Sequence, residues 1–257
     1  MAGDITVVNG SMVNPITVDQ IAAKLAEIRL LMTNPNDTLT VYVAGHGGAR
    51  LAGVSVFDSG VGDEVVNVGG ESSSGLLSDN KLTSMLSNFT GYKKSIFIDS
   101  CHSGGFWGSN DLFESWPASG EGMSDLDQLN NIALYAGSSE GSNEFGDSQY
   151  AFTSFWGQAL YEAFLSPKTW TGNGLSRFLS SESKLLAELV SSSSYPFYRT
   201  NGFGDLVPAD PSLIQSFQAN SADYDMNASM YSVPEPATLS LLALGLVGLG
   251  FSRRKSA

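Results

Sequence analysis

A thiol and an imidazole stand in matching settings along this sequence. Cys101 follows the apolar run 95–98 (SIFI) within Asp99-Ser100-Cys101-His102-Ser103-Gly104-Gly105, and His46 follows 38–44 (TLTVYVA) within Gly45-His46-Gly47-Gly48. A thiol is an effective nucleophile at neutral pH when a base and a positive environment lie close, and the N-terminus of a following helix supplies part of that field. His46 is the natural base, because His102, adjacent to the thiol in sequence, would project elsewhere. Glycines around each residue let the backbone approach a ligand. Each residue also has a plainer reading: Cys101 as a small buried hydrophobe, which is what most lone cysteines are, and His46 as a turn histidine satisfied by backbone groups. A core cysteine does not usually stand in a Ser- and Gly-rich turn just past a strand, and the pair is more informative than either member.

The flanking segments alternate between strand-like and helical patterning. Ile5 to Val8 is a short β-branched run. Residues 17–33 carry Ile21, Leu25, Ile28 and Met32 at helical spacing, with Thr17 and Gln20 placed as a capping box. Residues 38–44 read as a strand, and 54–68 as a hairpin around Asp58-Ser59-Gly60. Ser78 to Phe89 is predicted helical, with Leu82, Met85, Leu86 and Phe89 on one face. Residues 95–98 and 132–136 (IALYA) are predicted as buried strands, separated by a Gly-, Ser- and acid-rich loop over 104–131. Helices are expected at about 151–165 and 174–191, and 195–231 is polar and aperiodic, as in an extension or stalk.

Continuous apolar strands alternating with helices imply an α/β fold, a three-layer sandwich with a mostly parallel sheet. Such sheets place their sites at the carboxyl ends of the strands, where His46 and Cys101 both sit. If their strands are neighbours, the two side chains face one cleft.

Composition narrows the chemistry further. The chain has 257 residues, 13 Lys and Arg against 26 Asp and Glu, and a formal net charge of −13. That length allows one large or two small domains with a real core. Binding a nucleic acid backbone requires clustered Lys and Arg, which this chain lacks, so nucleic acid is excluded as a partner. One Cys rules out an intramolecular disulfide, and with two His a metal site would be short of nitrogen ligands; no metal and no cofactor are expected.

The two ends carry different messages about location. MAGDITVVNG has no basic n-region and no apolar run of signal-peptide length. Ala237 to Phe251 is an uncharged apolar run, preceded by Val233-Pro234-Glu235-Pro236 and followed by Arg253, Arg254 and Lys255. As a helix, that run reaches ~22 Å against a hydrocarbon core of ~30 Å, a difference that flanking residues and local thinning absorb. The basic cluster should stay cytoplasmic. A buried C-terminal helix is the alternative, and the three glycines and flanking Pro and Arg-Arg-Lys speak against it.

VPEP, an apolar helix and a short Arg-rich end together resemble the PEP-CTERM sorting tail of Gram-negative bacteria. The resemblance implies that an exosortase in the inner membrane recognises and removes the tail, leaving the body in the cell envelope.

The central segments resemble the caspase-like cysteine peptidases, the group of caspases, metacaspases and legumains. The matching pieces are VYVAGHGG at 41–48, SIFIDSCHSGG at 95–105 and ALYAGSSEGSNEF at 133–145, with the thiol fifty-five residues after the histidine. Caspases have a similar spacing, roughly 50 residues. The resemblance implies a Cys-His dyad acting on a polypeptide substrate, with Cys101 attacking the peptide carbonyl and His46 protonating the departing amine. It also implies an oxyanion hole from the N–H groups of Gly47 and Cys101. Asp99 matches the metacaspase residue that lines the pocket for a substrate Arg or Lys; a strand-end or helix-cap carboxylate is its other reading. Glu140 and Ser138, after the third strand, are placed as further substrate-binding residues.

No Lys or Arg occurs from Ser95 to Pro167, so an Arg/Lys-specific enzyme could not cut its own 104–131 loop, and single-chain activity is expected. Asp111, Glu114, Glu121, Asp125 and Asp127 in that loop could hold Ca²⁺, as in several metacaspases. Their spacing lacks EF-hand regularity and suits a solvated acidic loop better. Family members have a central strand and a helix ahead of Ile5 to Val8, so the sequence reads as a caspase-like fold without its first strand, truncated at the N-terminus. The alternative is that residues 5–9 move inward to fill the gap. The expected division is a peptidase domain over 1–194, a polar stalk over 195–232 and a sorting segment over 233–257 with its membrane helix at 237–251. The rival to an exported endopeptidase is a catalytically inactive surface binding protein of the same fold.

Overall fold

Three parallel strands form the centre of the molecule: β1 (Thr38–Ala44), β5 (Lys93–Asp99) and β6 (Ile132–Ala136). A fourth, β10 (Gln218–Ala222), runs antiparallel beside β6, giving the order β1-β5-β6-β10. The computed structural model describes residues 16–49, 64–69, 75–101, 103–107, 126–138, 154–166, 168–191, 197–200, 206–209 and 218–231. Within β5, every residue after Lys93 is buried, and all of β6 is buried. Apolar side chains on both faces of these strands require cover on both sides, and helices supply it.

On one face, α1 (Val18–Leu31) and α2 (Asp79–Leu86) pack Leu25, Leu82 and Leu86 against Ile96, Ile98 and Leu134. On the other, α3 (Phe155–Leu165) and α4 (Gly172–Ser191) bring Trp156, Leu160, Leu175 and Leu179 onto Phe97, Ala133 and Tyr135. Phe97 and Tyr135 stack with ring centroids 4.7 Å apart. The expected Thr17/Gln20 capping box is present at the start of α1: the Gln20 N–H donates to Thr17 Oγ1 and the Thr17 N–H to Gln20 Oε1. The α/β sandwich with its largely parallel sheet therefore forms as the patterning predicts.

A small antiparallel sheet adjoins the end of β1. It consists of β2 (His46–Ala49), β3 (Glu64–Asn67) and β4 (Leu76–Ser78), in that order. The turn of the hairpin expected over 54–68 lies outside the described residues; its last part is β3. The Gly45-His46-Gly47-Gly48 segment, expected as a turn, is one residue of bend followed by β2.

The largest departure concerns 195–232. That stretch was expected as a polar stalk, yet β8 (Phe197–Thr200) and β9 (Leu206–Ala209) pair as a hairpin, and β10 completes the main sheet. Beyond β10, Tyr224 shares a hydrogen bond of 3.1 Å with Ser95, and Tyr135 donates to the sulfur of Met230. The last strand, β11 (Ser229–Tyr231), pairs with β7 (Trp170–Thr171). QANSA carries no large apolar residue: β10 pairs through its backbone, and only the small Ala219 and Ala222 pack against the hydrophobic clusters. A hydrophobicity pattern cannot reveal such a strand.

Ile5 to Val8, and with it the expectation of a missing first strand, lies outside the described residues. So does the apolar run at 237–251. Among the described residues no helix is long and apolar enough to cross a membrane.

Candidate active site

β1 and β5 end level with one another. Ala44 is in register with Asp99, and the Gly45 N–H donates to the Asp99 carbonyl at 3.2 Å. From that pair, two residues lead to His46 on one chain and two to Cys101 on the other. The segments do not diverge: a Cβ added to Gly47 would lie 1.8 Å from the Cys101 carbonyl oxygen and 2.9 Å from the Cys101 nitrogen. Only a residue without a side chain permits that approach. Gly45 is equally constrained, since a Cβ there would lie 2.2 Å from the Asn67 carbonyl oxygen. His46 thus sits between two glycines, one pressed on β3 and one on the thiol-bearing turn. Its side chain is exposed and Cys101 is half-buried, so neither is sealed in the core.

The turn carrying Cys101 is fastened from beneath by buried serines. Ser138, just past β6, donates from Oγ to the Ser100 carbonyl at 3.0 Å and from its N–H to Ser103 Oγ at 3.1 Å. The Ser103 N–H in turn donates to Ser138 Oγ at 3.3 Å. These bonds bracket Cys101 on both sides. Ser138 is fully buried. Its hydroxyl is engaged with the turn itself, where the sequence reading had placed it at the substrate.

Asp99 is also buried, at 6% exposure, and both carboxylate oxygens are engaged. The Tyr42 hydroxyl donates to Oδ2 at 2.7 Å and the Ser154 hydroxyl to Oδ1 at 2.5 Å. Ser154 caps α3, its Oγ accepting the Gly157 N–H at 2.7 Å. Asp99 therefore rests over a helix N-terminus, where unsatisfied N–H groups and the helix dipole favour negative charge. A Cβ at Gly157 would fall 2.2 Å from Oδ2, so that glycine makes room for the carboxylate. The hydroxyl donors to this carboxylate are therefore Tyr42 and Ser154. Sequence reading missed both. The signal available for Ser154 was its spacing of three from Gly157 at a helix start.

Glu140, His102, Asp111, Glu114, Glu121 and Asp125 lie outside the described residues. Asp127 is in a short 3-10 turn (Leu126–Gln128), where burial raises its carboxyl pKa above the usual carboxylate range. Among the described residues no group of three or more His, Cys, Asp or Glu is placed to hold a metal ion.

The far end of the chain has a defined counterpart. Residues 232–255 match the PEP-CTERM protein-sorting motif. The match begins one residue after β11 ends. It implies processing by an exosortase and sorting to the cell envelope. No curated protein sequence matches the chain. Among solved structures, it is similar to caspase-1 from Spodoptera frugiperda, with 13% identity, a TM-score of 0.46, and coverage of 84% of this chain and 73% of that one. It is also similar to a protein from Geobacter sulfurreducens, with 17% identity, a TM-score of 0.46, and coverage of 66% and 70%.

Proposed function

We propose that this chain is an exported cysteine endopeptidase that cleaves peptide bonds through a Cys101–His46 dyad. The observation that carries the proposal is the contact of the Gly47 and Cys101 main chains, which puts the histidine-bearing and thiol-bearing segments at one place above the sheet. Cys101 attacks the substrate carbonyl and the thiol proton passes to His46. The Gly47 and Cys101 N–H groups serve as donors for the resulting oxyanion, and each such donor contributes on the order of 3 kcal/mol to transition-state stabilisation. His46 then protonates the leaving amine, and water hydrolyses the acyl-enzyme.

Asp99 is the proposed selector of Arg or Lys on the substrate, with Glu140 as a second wall of the pocket. An ionised carboxylate has roughly four acceptor positions, so one holding two hydroxyls retains capacity for a guanidinium. Ser138 acts in this scheme as a positioning residue for the Cys101 turn. The body is exported and works as a single chain. The sorting segment crosses the inner membrane until an exosortase removes it.

The test is covalent labelling of Cys101 by peptidyl electrophiles carrying Arg, Asp or Asn next to the reactive group. The Arg probe is expected to label fastest, and labelling is expected to vanish in His46→Ala. Absence of labelling by every probe would instead identify a surface binding protein on a retained peptidase fold.

A further inference from the structure

The chain leaves the domain at the end of the sheet opposite to Cys101. β10 runs against its neighbour, pairing Gln218 with Ala136 and then Ala222 with Ile132, so it descends from the site to the strand starts. Tyr224 bonds Ser95, near the start of β5, and β11 then pairs with β7. A second ruler agrees. Asp99 is bonded to Ser154 at the start of α3, while Trp170 of β7 donates from Nε1 to the Ala163 carbonyl near that helix's other end. Those nine residues of helix separate the two levels by about 14 Å.

The same end carries most of the exposed large apolar side chains among the described residues. Leu30 (81%) and Leu31 (69%) close α1, and Tyr161 (60%), Phe164 (38%) and Leu165 (67%) close α3. Both helices run towards the strand starts: α1 leads into β1, and Tyr92, just before β5, donates to the Met32 carbonyl at 2.6 Å. From Tyr231 to Ala237, the first residue of the uncharged apolar run, is six residues, which span at most about 20 Å fully stretched. The parallel strands alone rise about 20 Å from Ser95 to Cys101. A tether of that length has nothing left to pass around the domain.

We infer that, in the unprocessed protein, the strand-start end rests on the lipid bilayer surface. Tyr161, Phe164 and Leu165 lie in the headgroup region, and the His46–Cys101 end faces away. Tyrosine and apolar side chains bordered by Lys168 suit that interface. The site is then open to soluble polypeptides and out of reach of its own tail. This rests on the membrane reading of the sorting segment and not on the peptidase chemistry.

The experiment uses the full-length chain in the Cys101→Ser background, reconstituted into phosphatidylcholine vesicles containing a headgroup-nitroxide lipid. A fluorophore is attached at Leu165→Cys or at Gly48→Cys, where an added side chain meets nothing within 4 Å. Vesicle flotation reads anchoring, and quenching reads orientation. The expected result is flotation of both, loss of most emission from the Leu165 position and retention of most emission from the Gly48 position. Equal quenching, stronger quenching at Gly48, or none at Leu165 in floating protein overturns the orientation; in the last case the apolar end faces another protein or a second copy. Failure to float overturns the membrane reading itself.

Discussion

Gly47 and Cys101 touch through their main chains, with room for no side chain between them. This contact joins two segments that are far apart in sequence, and it depends on β1 and β5 being parallel neighbours in register through Ala44 and Asp99. Gly47→Ala is expected to separate them, because the new Cβ cannot occupy space 1.8 Å from the Cys101 carbonyl oxygen. Displacing one oxyanion donor lowers turnover by about 10² to 10³. Steady-state kinetics on an Arg-containing peptide, with a thermal melt alongside, checks this; full activity in a stable variant would refute the proposed oxyanion site.

Removing the dyad should affect chemistry and leave the fold intact. His46→Ala changes an exposed side chain, where substitutions usually shift stability by no more than about 0.5 kcal/mol, and Cys101→Ala removes a single sulfur atom from a half-buried position. Peptide hydrolysis is expected to disappear in Cys101→Ala and to fall by at least about 10² in His46→Ala, with melting temperatures near the parent's. Residual hydrolysis in Cys101→Ala would point to a different nucleophile.

Ser138→Ala should loosen the thiol-bearing turn. The change leaves the Ser100 carbonyl and the Ser103 N–H without this partner, at a cost of about 1–3 kcal/mol. Turnover is expected to fall while KM changes little, because in the proposed scheme the hydroxyl acts through the turn. A rise in KM at unchanged turnover would return Ser138 to the substrate pocket.

Asp99→Asn should do two separable things. It weakens the Tyr42 and Ser154 hydrogen bonds to a charged acceptor, each worth about 1.5–3 kcal/mol, and so lowers the melting temperature. It should also abolish the advantage of Arg over Asn in the electrophilic probes. Tyr42→Phe serves as the control, expected to reproduce the first effect with a much smaller loss of Arg preference. If both variants keep the Arg preference, Asp99 is a structural carboxylate only.

Lys94 gives a prediction in pH. Its side chain is buried at the start of β5, its Nζ donating to the Tyr92 and Phe89 carbonyls, and burial lowers its pKa below the usual lysine range. The unfolded chain then binds more protons than the folded one as pH rises from the lowered value towards 10.5, so Lys94 makes stability increase with pH in that window. Tyr224 acts oppositely, since burial raises its pKa above 10.0 and its unfolded form loses the proton first. Subtracting the denaturation profile of Lys94→Met from the parent's isolates the lysine, and the difference should favour the parent increasingly as pH rises. A flat difference would show that the ammonium is solvated.

Much of the scaffold was legible in the sequence because it follows from local pattern. β1 and β6 begin and end where the apolar runs do, and the Thr17/Gln20 box opens α1 as its spacing requires. Glycines around His46 and small residues around Cys101 marked both as strand-end positions. The sorting motif was legible for the same reason, being a linear arrangement of Pro-Glu-Pro, apolar run and basic end. Tertiary structure decided what no single segment encodes. The β1–β5 register brought Gly47 against Cys101, and packing of α3 on the sheet delivered Ser154 and Gly157 to Asp99. Ser138 was turned inward to hold the thiol-bearing turn, and β10 was recruited into the sheet, running from the site end towards the strand starts. These relationships rest on backbone pairing and steric fit between remote segments. Neither depends on the hydrophobic periodicity through which a sequence announces its elements.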